Sequence, residues 1–304
     1  MAQSKLESVP LPPLERLYET VPQFLDRAPI VSSIDFRVVE TVDELKAATH
    51  LAYREYLKRG YVNPQPSQLK LSIFYALPET TTFIAVHPEH GVIGTMALIP
   101  DSPLGLPMDD VYTPELDELR RRGHRVAEAS MFAFDTALFS RKGLPRFHAT
   151  RLILTLQLFK LMFDYLRSAT DVTELVACFN PRHQVLYEFL HLEPLGGLKS
   201  YSLVNGNPAV AAHLSIAGTQ QLAQIYPVVK FFWEPIHSAD AYTNRLQLAV
   251  DDLEDLFVRS STIFASASHS ELAYLLRSYP TDACAELLRT YAPEAPSSIE
   301  LAGS

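Results

Sequence analysis

The stretch RVAEASMFAFD, residues 125–135, is apolar or small along most of its length and carries an acid, Glu128, near its centre. This composition favours a β-strand. Residues 150–167 then predict a strong helix, because polar side chains recur every three or four positions and leave one narrow stripe to meet water. The polar side chains of this stripe are Gln157, Lys160, Asp164 and Arg167. Residues 174–179 predict the next strand, and this order indicates an α/β domain.

The elements on either side extend the pattern. Thr41 and Glu44 have the spacing of a capping box, so a helix is expected from there to about Lys58. A shorter helix is expected with Thr113 as its cap and Pro114 at its first position. The other predicted elements are strands at residues 34–40, 81–87, 92–100 and 199–204 and a helix at residues 181–191.

The complete order of elements predicts a mixed sheet with helices on both faces, with its core in residues 34–214. Residues 1–33 are rich in proline and are expected to form an arm laid on the surface. From residue 215 to residue 304 the pattern becomes helical, and Ser268 and Glu271 form a second capping box. These last residues are expected to form a helical extension that packs on the core.

The bulk composition argues against several classes of protein. The 304 residues carry a net charge of −9, which disfavours a general nucleic-acid binder. Two cysteines, Cys178 and Cys284, are too few for a disulfide framework or a structural zinc site, and His87 and His90 lack a third ligand nearby, so no metal site is expected. The sequence shows neither a signal peptide nor a membrane span, so a cytoplasmic protein is expected.

Several local sequences resemble a known superfamily. The run Asn180-Pro-Arg-His183, followed by Tyr187 and then by Leu192-Glu-Pro-Leu195, resembles the last part of a GNAT-superfamily domain. In that superfamily an asparagine ends a strand and a tyrosine lies on the next helix. Gly94-Thr95 on the predicted hairpin is similar to the superfamily as well.

Three further stretches resemble one branch of the superfamily, the FeeM-type N-acyl amino acid synthases, which are related to the acyl-homoserine lactone synthases. The stretches are residues 56–62, 101–109 and 126–130. The resemblance spans roughly residues 36–214 and implies a GNAT-type mixed central sheet flanked by helices. Two positions depart from the pattern: Met131 stands near the place of an arginine in the lactone synthases, and His191 replaces a glycine.

The resemblance implies an acyltransferase, which must deprotonate an amine, stabilise an oxyanion and let a thiolate leave. Glu128 is the candidate base, because burial in an apolar strand would raise its pKa. The alternative is a strand glutamate that faces solvent or pairs with a nearby arginine. Tyr187 is the candidate acid for the thiolate, and His183 is a second candidate for proton handling. A packing tyrosine and a capping histidine are the alternatives for these two.

The donor implied is an acyl-phosphopantetheine thioester of acyl carrier protein or of CoA, with no permanently bound cofactor. The resemblance places the oxyanion-binding backbone at Ser130, Met131 and Phe132, and Asn180 is a further donor-binding candidate. The loop before the strong helix lacks a glycine cradle but is basic, which predicts contacts with the donor phosphate and an acidic carrier protein. A solvated basic loop is the alternative. The basic residues are Arg141, Lys142, Arg146 and Arg151.

Phe134, Leu138, Leu104 and Met108 are candidates to line an apolar groove for a long acyl chain, although such residues also suit plain core. The expected function is transfer of a long-chain fatty acyl group from acyl carrier protein to the α-amine of an amino acid. The alternatives are a CoA-dependent enzyme acting on another small amine and a non-catalytic acyl- or partner-binding protein. The acceptor, the chain length and the oligomeric state are left open.

Overall fold

The computed structural model describes residues 33–138, 145–279 and 282–291. The strands are β1 (Asp35–Val38), β2 (Thr81–His87), β3 (Gly91–Pro100), β4 (Val126–Phe134), β5 (Glu174–Phe179), β6 (Glu193–Tyr201) and β7 (Asn207–Ser215). The helices in these ranges are α1 (Val42–Lys58), α2 (Asp109–Arg121), α3 (Pro145–Ala169), α4 (Gln184–Phe189), α5 (Ile216–Leu222), α6 (Pro227–Trp233), α7 (Val250–Glu254), α8 (Ile263–Ser266), α9 (His269–Ser278) and α10 (Asp282–Tyr291).

The seven strands form one mixed sheet in the order β1-β2-β3-β4-β5-β7-β6, with helices on both faces, as the sequence predicts. The pair β4 and β5 is parallel, and the other neighbouring pairs are antiparallel. The parallel pairing begins with Val126 opposite Glu174 and ends with Ala129 opposite Ala177, although both strands continue. β4 and β5 therefore part beyond Ala129, and the candidate site lies at this opening.

The two faces of the sheet are covered by different helices, because side chains alternate along each strand. Ala127 of β4 packs in a cluster with the apolar side of α3. Its neighbour Val126 packs instead with Tyr112 and Leu116 of α2. Helix α1 contacts β3 and β4 on this second face. By alternation, Glu128 belongs to the face covered by α1 and α2.

Helix α1 begins with the capping box that the sequence predicts. The Glu44 N–H donates to the Thr41 hydroxyl, and Glu44 Oε2 accepts from the Thr41 N–H, each at 3.3 Å. Arg37 of β1 hydrogen-bonds the same carboxylate, and this contact lowers the pKa of Glu44 to about 2. The cap therefore also ties the start of α1 to the first strand.

The sequence places the start of α2 wrongly. The helix begins at Asp109 rather than at Thr113, and its backbone is kinked at Tyr112, with φ −117° and ψ 27°. The Thr113 hydroxyl donates back to the Asp109 carbonyl, so it does not cap the helix. The threonine–proline signal thus marks the kink inside α2, since Pro114 cannot supply the N–H of a regular turn.

The end of the sheet also differs from the prediction. β6 runs over Glu193–Tyr201 rather than residues 199–204, and residues 202–204 form a 3₁₀ turn. β7 is an additional strand at Asn207–Ser215. Its sequence, NPAVAAHLS, is rich in alanine, which strands disfavour, so its strand signal is weak.

One residue of the polar stripe of α3, Asp164, is covered by residues 237–242, which corrects the expectation that it meets water. The Asp164 side chain is 0 % exposed. Its carboxylate accepts hydrogen bonds from Arg167 at 2.6 Å, from the His237 N–H at 3.0 Å and from the Tyr242 hydroxyl at 2.7 Å. These hydrogen bonds lower the pKa of Asp164 although burial alone would raise it. Asp164 therefore anchors the carboxyl-terminal extension to α3.

A buried tyrosine joins α2 to the far edge of the sheet. Tyr112 is 0 % exposed, and its hydroxyl lies 2.9 Å from the Gly197 carbonyl and 2.8 Å from the Ala209 carbonyl. We expect Tyr112→Phe to destabilise the protein by about 1–2 kcal/mol, because the buried Ala209 carbonyl and the part-buried Gly197 carbonyl lose a donor. Urea unfolding monitored by circular dichroism measures this change. Tyr274→Phe serves as the control, because Tyr274 is a partly buried tyrosine of α9. An equal loss of stability in this variant would contradict the role assigned to the Tyr112 hydroxyl.

Candidate active site

β4 carries one extra residue where it leaves β5. Ala97 of β3 pairs with Ser130, whereas Thr95 pairs with Ala133, so three steps on β4 oppose two on β3. Met131 lies inside this bulge with φ 55°, in the left-handed region. A bulge takes its extra residue out of the regular ladder and redirects the strand. The backbone predicted to bind the oxyanion, at residues 130–132, is thus the bulge itself.

Glu128 lies two residues before Ser130, and only 2 % of Glu128 is exposed to solvent. Its Oε2 accepts a hydrogen bond from the Met108 N–H at 2.9 Å. Burial raises the pKa of Glu128 to about 8, against the lowering effect of hydrogen bonds from Met108 and Ser130. The carboxyl group therefore titrates near neutral pH, in the range useful for a general base.

The neighbouring arginines do not neutralise this carboxyl group. Arg120 pairs with Asp101 and Asp109, and Arg121 and Arg122 pair with Glu118. Arg125 pairs with the exposed Asp171. The alternative that Glu128 is an exposed or arginine-paired strand residue does not match its burial or its partners.

Other buried or partly buried titratable groups converge on Glu128 from separate elements. They are Tyr56 of α1, Cys178 of β5 and Tyr201 of β6. Burial raises the pKa of each, and the negative charge of Glu128 raises it further. The raised pKa keeps these hydroxyl and thiol groups protonated at neutral pH, so they can donate hydrogen bonds. Tyr56 begins one of the stretches that resemble FeeM-type synthases, but no local sequence pattern indicates that these three residues group around Glu128.

Tyr187 lies on the other side of the opening, on α4. Its ring stacks on Phe179, the last residue of β5, with centroids 3.7 Å apart and an angle of 3° between the planes. The ring of Phe159 from α3 packs edge-to-face with the Tyr187 ring, with the two centroids 6.0 Å apart. Burial raises the pKa of Tyr187. The phenol is thus fixed beside the opening and stays protonated at neutral pH.

His183 ends the 3₁₀ turn Pro181–His183 and is exposed overall. Partial removal of its ring from water, together with the charges of Arg59, Arg151 and Arg182, lowers the pKa of His183 to about 4. The imidazole is therefore neutral at pH 7 and is poorly suited to donate a proton to a leaving group there.

The three arginines around His183 come from the end cap of α1, from α3 and from the turn after β5. Burial and the charge of Arg59 lower the pKa of Arg151, while Glu55 opposes them. An arginine stays protonated at neutral pH even so. Arg59 is paired with the buried Glu55 at 3.0 Å, so the positive charge offered to a ligand at this mouth of the opening comes mainly from Arg151 and Arg182. The basic loop in the sequence indicates Arg151 but neither Arg59 nor Arg182, which approach it only in the fold.

The remaining donor-site candidates have other positions. Arg141 and Lys142 lie outside the described residues, and Arg146 is the second residue of α3. The Asn180 side chain accepts a hydrogen bond from the Arg182 N–H at 3.1 Å, so it caps the turn after β5. This capping contact holds Arg182 at the opening.

The residues proposed for the acyl groove do not form one wall. Phe134 and Leu138 pack in the cluster on the α3 face of the sheet. Leu104 and Met108 pack in clusters on the opposite face, against α1 and α2. The sequence-based groove is wrong as a single surface, because its members belong to apolar clusters on opposite faces of the sheet.

Neither a metal centre nor a membrane span is found in the part of the chain that the structure describes. Within residues 33–138, 145–279 and 282–291, no group of three or more His, Cys, Asp or Glu side chains is arranged to hold a metal ion. None of the helices in these same ranges has the length and apolarity needed to cross a bilayer.

A mixed sheet whose parallel strands part beside a bulge, with a buried carboxyl group next to it, defines an acyltransferase of the GNAT fold. The model of the family "N-acyl amino acid synthase FeeM" matches residues 47–215. This match covers more than half of the chain, and the chain therefore belongs to that family.

Solved structures are similar over the same region. The structure of FeeM, an N-acyl amino acid synthase from uncultured soil microbes, aligns with a TM-score of 0.53 at 26 % identity, over 65 % of this chain and 97 % of that one. The CoA-dependent acyl-homoserine lactone synthase BjaI aligns with a TM-score of 0.46 at 16 % identity, over 65 % and 90 %. The acyl-homoserine lactone synthase LasI gives 0.43 at 16 %, over 60 % and 89 %. No curated protein sequence matches the chain.

Proposed function

We propose that the protein transfers a long-chain fatty acyl group from acyl carrier protein to the α-amine of an amino acid. The observation that carries this proposal is the buried Glu128, with a pKa of about 8, beside the bulge where β4 and β5 part. An amine needs a base of this kind, because its ammonium form has no lone pair for attack.

In the proposed reaction, Glu128 removes one proton from the substrate ammonium group and later releases it to water. The free amine attacks the thioester carbonyl carbon, so that a C–N bond forms and the carbonyl oxygen becomes negative. Backbone N–H groups of the bulge at residues 130–132 stabilise this oxyanion. The C–S bond then breaks, Tyr187 protonates the sulfur, and the nitrogen gives up its second proton to restore the phenol. The products are an amide and a free thiol.

Positively charged side chains indicate where the acyl donor binds. Arg151 and Arg182 lie at the mouth of the opening, beside the Arg59–Glu55 ion pair, and guanidinium groups bind phosphate through paired hydrogen bonds. A phosphopantetheine arm that enters there would place its phosphate among them and its thioester beside the bulge. The same positive charge on a protein of net charge −9 would attract an acidic carrier protein to this face.

This donor assignment predicts a selective effect on donor binding. We expect Arg151→Glu and Arg182→Glu to raise the KM for the acyl carrier protein donor by about tenfold or more, because the phosphate then meets negative charge, while kcat changes little. Arg121→Glu is the control, since Arg121 lies at the end of α2 near the start of β4. Steady-state kinetics at two salt concentrations measure both constants. An unchanged KM in both variants would refute the assignment.

The experiment that tests the proposed function is a product assay. The purified protein is incubated with long-chain acyl carrier protein or acyl-CoA and a mixture of amino acids, and new masses are sought by mass spectrometry. An N-acyl amino acid formed faster from the carrier protein supports the proposal. Faster turnover of acyl-CoA would reassign the donor, and thioester hydrolysis without an amide product would reassign the acceptor.

A further inference from the structure

The loop between β3 and α2, residues 101–108, contacts the strand that carries Glu128 at both of its ends. The Asp101 N–H donates to the Val126 carbonyl at 2.9 Å. At the other end the Met108 N–H donates to Glu128 Oε2, also at 2.9 Å. The path of this loop therefore determines whether the buried carboxyl group keeps its backbone donor.

One arginine from α2 holds the loop at both ends. The Arg120 guanidinium donates to Asp101 at 2.7 and 2.9 Å and to Asp109 at 2.8 and 2.6 Å. Its side chain is 26 % exposed and the two carboxylates are 20 % exposed, so water competes only partly for these hydrogen bonds. The contacts with Asp109 and Asp101 raise the pKa of Arg120. A planar fork can bridge two carboxylates in this way, whereas a lysine cannot.

Asp109 links this network to Glu128 in a second way. Its Oδ2 accepts from the Leu106 N–H at 2.7 Å, which shapes the last turn of the loop. Gly105 has φ 71°, and a Cβ there would lie 2.6 Å from Asp109 Oδ2, so only glycine lets the loop approach so closely. Burial is the main reason for the raised pKa of Glu128, and the negative charge of Asp109 adds to it.

We infer that Arg120 is a positioning residue for Glu128, acting with Asp101 and Asp109 to fix the loop that hydrogen-bonds this carboxyl group and to balance the charge of Asp109. The inference rests on the proposed role of Glu128 as the base. It assigns the setting of that base to a network on α2 and the preceding loop, rather than to β4 alone.

The inference predicts opposite shifts for two substitutions. Arg120→Met frees the loop and leaves Asp109 unbalanced, so the pKa of Glu128 should rise by about 1 unit. Asp109→Asn keeps an oxygen for the Leu106 N–H but removes the negative charge, so the pKa of Glu128 should fall by about half a unit or more. A network that only stabilised the fold would not give shifts of opposite sign.

The direct test is a titration of Glu128 by carbon-13 NMR on protein labelled at the glutamate carboxyl carbon. The Glu128 signal is the one that disappears in Glu128→Gln. Arg122→Met is the matched control, since Arg122 directly follows the same helix, is 63 % exposed and pairs with Glu118. An upward shift in Arg120→Met, a downward shift in Asp109→Asn and no shift in the control support the inference.

Equal titration in all variants, or shifts of the same sign in both, would overturn it. If Arg120→Met does not fold, the near-isosteric Asp109→Asn decides the question alone, because an unchanged or raised pKa of Glu128 contradicts the inference. The titration needs no acyl donor. A wild-type protein that makes no N-acyl product would therefore refute the proposed function, while the shifts still decide the role of Arg120.

Discussion

Replacing Glu128 with glutamine is expected to lower kcat/KM for acyl transfer by about 10²–10⁴-fold, the usual contribution of a positioned general base. Glutamine keeps the size of the side chain and an oxygen that can accept the Met108 N–H, so the loss should come from the missing base. Product formation measured by mass spectrometry with equal amounts of folded protein gives the ratio. Glu118→Gln, on the surface of α2, is the control and should stay active.

The same substitution should change stability with pH in a defined direction. The pKa of Glu128 is about 8 in the folded protein and has an ordinary value of 4.5. Between these values the unfolded chain has lost a proton that the folded protein keeps, so wild-type stability should fall as pH rises through this range. Glu128→Gln lacks this loss. The free energy of unfolding of this variant, relative to that of wild type, should therefore be higher at pH 8 than at pH 6. Thermal unfolding at pH 6 and pH 8 tests it, and a parallel pH dependence in both proteins would contradict the burial assigned to Glu128.

The largest expected effect on stability is at Asp164. We expect Asp164→Ala to destabilise the protein by about 3 kcal/mol, because the Tyr242 hydroxyl, the His237 N–H and the Arg167 guanidinium all lose a buried acceptor. Limited proteolysis should also begin to cut the segment after α6, since its anchor on α3 is gone.

Asp171→Ala is the control for this effect. The Asp171 side chain is 81 % exposed and pairs with Arg125 at the surface, so its loss should cost less than about 1 kcal/mol. Denaturant unfolding of the two variants measures the difference. Similar losses in both would mean that the extension after the sheet does not depend on the Asp164 contacts.

Local sequence patterns predicted most of the elements but not the way β4 and β5 separate. The capping box at Thr41 and the apolar run around Glu128 act over a few residues, so they can be read directly. The bulge at Met131 depends on where pairing with β3 slips, which no local pattern records. β7 was missed because its alanines carry little strand preference, and its pairing with β5 and β6 determines its structure.

The surroundings of several polar side chains could not be predicted from local sequence patterns either. Asp164 reads as a solvent-facing residue of an amphipathic helix, and it is buried because residues 237–242 return to cover it. Likewise, Arg59 and Arg182 meet Arg151 only because α1 and the turn after β5 converge on α3.

Two departures from the family pattern have physical explanations in the fold. His191 adopts φ 62°, the left-handed conformation that the usual glycine would provide, so the turn is kept without the glycine. Met131 is 8 % exposed and packs in the apolar cluster that includes the helices after the sheet. An apolar side chain suits this position better than an arginine would.

The pH dependence of kcat/KM for N-acylation tests the central claim most directly. If Glu128 is the base, activity should rise as pH passes through about 8, because only the ionised carboxylate accepts a proton. Glu128→Gln should show a low residual rate without this rise. A wild-type profile that is flat between pH 6 and pH 9, or the same rise in Glu128→Gln, would show that another group performs the proton transfer.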